Sequence, residues 1–66
     1  MKQPSMFSDA DRLIMAENVL KCVPLIIEEL EQFNQVEIAR KIKNLKEQET
    51  NAEIRNVLYQ ILEALP

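Results

Sequence analysis

Few side chains in this sequence could do chemistry, and their surroundings narrow the choice. Cys22 is the single cysteine and the chain has no histidine. A nucleophilic thiolate needs a histidine or another cationic partner. Cys22 sits instead in an apolar-periodic stretch, where a free cysteine behaves as a small hydrophobe. Serine nucleophiles lack a base for the same reason. Without glycine there is no phosphate-cradling loop and no dinucleotide fingerprint. The acidic group Glu28, Glu29 and Glu31 could ligate a cation, but calcium loops turn on a glycine and helical di-iron sites need a Glu-x-x-His motif. Lone Cys22 also rules out an internal disulfide and leaves zinc without a ligand set. We therefore expect no catalysis, no cofactor and no metal, in a chain with little room for a pocket of about 300–1,000 Å³.

Binding chemistry is better supplied. Arg40, Lys41, Lys43 and Lys46 form a basic group, but at ~100° per residue they point to several sides of a helix. Glu37 is placed to pair with Lys41, and Lys43 and Lys46 complement a helix C-terminal dipole. The run Gln35-Val36-Glu37-Ile38-Ala39-Arg40-Lys41-Ile42 resembles the first helix of a helix-turn-helix module. It departs from that pattern at Lys43-Asn44-Leu45-Lys46, which continues helically where the motif turns. Tyr59 projects away from the apolar face of its helix, among Ala52, Arg55, Asn56 and Glu63. Tyrosine beside arginine is the composition of interface hot spots. Tyr59 and Arg55, helped by Arg40 and Lys43 for an anionic target, are the expected contacts to a partner or ligand.

The elements that position these residues announce themselves by their starts. Ser8-x-x-Asp11, Asn34-x-x-Glu37 and Thr50-x-x-Glu53 each place a capping oxygen three residues before a carboxylate. Phe33 and Ile38 fit the hydrophobic staple around Asn34. The first helical stretch runs from about Asp9 to Gln32, after an arm at 1–7 whose Met6 and Phe7 can fold back. Leu13, Ala16, Leu20, Val23, Ile27 and Leu30 form one stripe; Met15, Val19, Cys22, Ile26 and Phe33 form a second beside it. Pro24 either kinks this stretch or breaks it and restarts a helix at its own position. The second stretch, Gln35 to about Glu47, carries Ile38, Ile42 and Leu45. After a connection at 48–50, the third runs from about Asn51 to Leu65, with Ile54, Val57, Leu58, Ile61, Leu62 and Leu65 on one face.

The expectation is an all-α, three-helix unit in one domain at 8–66, or four short helices if Pro24 breaks the first. Sixty-six residues lie near the lower limit for an independent core, so a second subunit is the natural supplement. The two apolar stripes of the first helix exceed what one neighbour covers. Met15, Val19, Cys22 and Ile26 are accordingly the expected self-association surface of a homodimer or higher oligomer. The net charge of −3 argues against generic nucleic-acid binding. No apolar run is long enough for a membrane span, the start lacks a secretory h-region, and the free cysteine suits a cytoplasmic setting. These features describe a small cytoplasmic interaction module, a regulator, inhibitor or adaptor that binds a larger protein. Two other readings stay open. One is a nucleic-acid-binding regulator using Arg40, Lys41, Lys43 and Arg55; the other is an oligomer that binds a small anionic ligand through Tyr59 and the basic second helix.

Overall fold

Helix α1 begins where the sequence places it. Ser8 accepts a hydrogen bond from the Asp11 backbone N–H, and the Asp11 carboxylate accepts one from the Ser8 N–H, so two donors of the first turn are satisfied reciprocally. In the computed structural model, which describes residues 7–65, α1 spans Asp9–Glu29, α2 Gln32–Gln48 and α3 Ala52–Ala64. Residues 1–6 of the expected arm at 1–7, Met6 included, and the closing Pro66 lie outside the described residues, and Phe7 is half exposed. Among the described residues there is no strand, and no helix is long and apolar enough to cross a membrane.

Helix α1 passes through Pro24 without a break, which makes three helices and not four. Pro24 is exposed, so its ring and the backbone bond it removes lie toward solvent, where the cost is least. The helix ends three residues earlier than its apolar pattern suggests. Leu30 and Glu31 are both extended, and these two residues turn the chain into α2 with no positive φ anywhere among the described residues. A glycine-free chain can therefore still make a sharp corner.

The expected cap at Asn34 is overturned. The N-cap of α2 is Glu31, without a side-chain cap bond, and Asn34 and Phe33 both lie inside the helix. Phe33 is 71 % exposed, so neither the staple with Ile38 nor a place in the α1 stripe is realised. Gln35 is what secures this corner. Its side-chain amide donates to the carbonyls of Ile27 (3.1 Å) and Leu30 (2.8 Å), groups that α1 cannot satisfy at its own C-terminus. Glu28 and Glu29 in that last turn, with no basic residue, oppose the helix dipole; the cross-helix amide offsets part of this. The third cap is displaced by one residue. Asn51, not Thr50, accepts from the N–H groups of Glu53 and Ile54.

Helix α3 is the keystone. Ile54, Val57, Leu58, Ile61 and Leu65 are buried and Leu62 packs beside them, which realises the expected stripe in full. It lies against both α1 and α2, while those two touch each other little. From α1 the core takes Ala16 and Val23, with Leu13, Val19, Leu20 and Ile26 half-buried around it; from α2 it takes Ile42, with Ile38 and Ala39. Leu45 and Ile27, expected inside, are largely exposed.

Candidate functional site

Because α3 wedges beneath them, α1 and α2 diverge and leave an apolar groove of about 220 Å³ between them. Its walls are Met15, Ala16 and Val19 from α1 and Ile42 and Leu45 from α2; Ile54 and Leu58 of α3 form the floor. Met15 and Leu45 stand 49 % and 54 % exposed on its rims. The expected self-association stripe thus divides. Val19 and Ile26 already pack against the core, whereas Met15 and Cys22 face solvent. Part of the α1 apolar arc serves α3 and part lines the open groove, while Cys22 and Ile27 do neither.

Arg12 and Glu49 close one end of this groove. The guanidinium donates through Nε (3.2 Å) and Nη2 (2.9 Å) to the two Glu49 oxygens, the bidentate geometry that makes arginine–carboxylate pairs strong. Asp9 pairs with the same guanidinium at 2.6 Å and accepts from the Asn51 side chain, while Glu49 also accepts from the Asn51 backbone N–H. This knot joins the start of α1, the end of α2 and the cap of α3. Hydrogen bonding from Arg12, then from the Asn51 backbone, holds the Glu49 carboxyl below its ordinary pKa. Hydrogen bonds from Asn51 and Arg12 act likewise on Asp9, and the Arg12 pKa is raised, chiefly by Glu49.

A pH dependence follows from the direction of the Glu49 shift. The unfolded chain binds the Glu49 proton more readily, so the stabilisation is complete above the ordinary carboxylate range and is lost as pH falls through the lower folded value. Glu49→Gln should lower the melting temperature near neutral pH by several degrees. The gap from the wild type should close on acidification. A gap that stays constant across the titration would show that the Glu49 charge does not contribute.

A second recess, a shallow cleft of about 300 Å³, lies on the outer side of α3 and is lined by Lys46, Ala52, Arg55, Asn56 and Tyr59. Tyr59 is half exposed, and the Lys46 ammonium lies 5.9 Å from its ring centroid, within cation–π range. The hydrogen bond and charge of Glu63 hold the Tyr59 phenol above its ordinary pKa. Of the residues expected at a partner surface, the structure brings Tyr59 and Arg55 together. Arg40 pairs with Glu37 at 3.5 Å, in place of the expected Glu37–Lys41 pair, and neither Arg40 nor Lys43 lines the cleft. Lys46 takes the place assigned to them. Its position 40° around α2 from buried Ile42, at ~100° per residue, was the available signal, and its fit to the helix dipole masked it.

Among the described residues no group of three or more potential ligands could hold a metal, and the Glu28, Glu29 and Glu31 side chains show no ion pair with α2. Both recesses are at or below the small end of ligand pockets. No family model, no curated protein and no solved structure matches the chain.

Proposed function

We propose that this chain is a small helical protein-interaction module that binds a larger protein and associates with itself through the α1–α2 groove. The observation that carries the reading is the groove itself, an apolar trough between two helices with Met15 and Leu45 exposed on its rims. An amphipathic helix laid in such a trough inserts its apolar side chains between the walls. Methionine on one rim adapts readily to different shapes. A regulator, inhibitor or adaptor would act by occupying this surface, without catalysis. The free, exposed Cys22 supports a reducing, cytoplasmic setting.

Val19 and Ile26 pack against the core, so substitutions there would confuse folding with association. Met15 and Leu45 separate the two. Sedimentation equilibrium of the wild type at high micromolar concentration should show a species heavier than the 7.7 kDa chain. Met15→Glu or Leu45→Glu should return it to monomer with helicity unchanged, because each would place a charge in a desolvated contact. A wild type that stays monomeric throughout would remove self-association from this reading.

A further inference from the structure

The cleft on α3 shares no residue with the groove and has a different chemistry. Two cations flank an aromatic ring there, Lys46 from the last turn of α2 and Arg55 from the first turns of α3. Among the described residues neither has a carboxylate within ion-pair distance. Lys21, Lys41 and Lys43 are likewise without an ion pair among the described residues, but none of them lines this cleft. Lys46 is instead held over the Tyr59 ring. Asn56 adds a neutral donor, and Glu63 is engaged with the Tyr59 hydroxyl.

We propose that this cleft receives a glutamate or aspartate side chain from an acidic segment of a partner protein. The carboxylate would lie between the Arg55 guanidinium and the Lys46 ammonium, with its methylene stem on the exposed Tyr59 ring. Charge complementarity selects this occupant. Nucleic acid would need several phosphate contacts acting together, and the cleft has two cations within a net charge of −3. A doubly charged phosphate would also crowd Glu63, whereas a single carboxylate leaves that pair intact. Arginine beside tyrosine at the centre is the composition of protein hot spots. This proposal rests on the chain being an interaction module but not on the groove.

The test is an NMR titration of the ¹⁵N-labelled protein with a blocked hexaglutamate peptide at fixed ionic strength, and in parallel with inorganic phosphate. The peptide should shift the signals of Lys46, Ala52, Arg55, Asn56 and Tyr59 together, to saturation. Arg55→Gln should weaken binding by at least about tenfold and Tyr59→Ala by a similar factor, while Tyr59→Phe, which keeps the ring, should retain it. Unchanged spectral dispersion checks folding, and Lys46→Gln supplies an independent variant should Arg55→Gln disturb α3. Met15→Glu, directed at the groove, should leave peptide binding unchanged, so failure of one site is distinguishable from failure of the other. Three results would overturn the proposal: no saturable shift, shifts spread equally over Lys21, Lys41 and Lys43, or tighter binding of phosphate at the same residues.

Discussion

Ile61→Ala should destabilise the fold by about 2–5 kcal/mol, the range for truncating a fully buried isoleucine. Ile61 has no exposed surface and lies on the face of α3 that holds the core together. Because α1 and α2 touch each other little and both lean on α3, a cavity there loosens both contacts at once, and collapse of one wall cannot fill it. A single core in a chain this short supplies roughly 3–5 kcal/mol in total, and each kcal/mol is worth about 4–8 °C in melting temperature. Thermal unfolding followed by circular dichroism should therefore show a drop of more than about 10 °C. Leu25→Ala, on an exposed position of α1, should change stability by no more than about 0.5 kcal/mol. Equal effects from the two would mean that α3 is not the centre of the core. Both must be measured at one protein concentration, since self-association shifts the midpoint by mass action.

Gln35→Met is the second large effect. Methionine keeps the length and most of the volume of glutamine but cannot donate a hydrogen bond. The carbonyls of Ile27 and Leu30 would lose the bonds that now reach them from α2. Gln35 is buried, so water cannot simply take its place, and an unsatisfied group in such a site costs about 1–3 kcal/mol. The loss should be local as well as global. Hydrogen exchange in the last turn of α1 should accelerate in the variant, while amides around Asn51 at the other end of the bundle should keep their protection relative to global stability. Uniform acceleration through all three helices would show that Gln35 contributes only through bulk packing.

These two residues also mark the boundary between what could be read along the chain and what could not. The all-α class, the start of α1, the apolar face of α3 and the outward projection of Tyr59 were legible, because each depends on residues within one or two turns of each other. The Ser8–Asp11 box spans four residues, and helical periodicity alone brings Ile54, Leu58, Ile61 and Leu65 to one side. The apolar excess of α1 was equally visible, but its use was not.

Tertiary structure decided where α1 stops, because its final carbonyls are satisfied by an amide on the next helix and not by a local cap. Asn34 has the right spacing for a cap, yet α2 starts earlier, since two extended residues and the Gln35 bonds hold the corner in its place. The Arg12–Glu49 pair spans 37 positions of sequence and no periodicity points to it. The cleft depends likewise on an inter-helix packing that brings Lys46 over Tyr59, while Arg40 and Lys43, equally basic in the sequence, do not line it. Local hydrogen bonds and helical phase are properties of a short segment and are written in its residues. Which charges meet, which stripe stays uncovered and where a helix ends depend on how α3 seats against both neighbours, and only the packed chain contains that information.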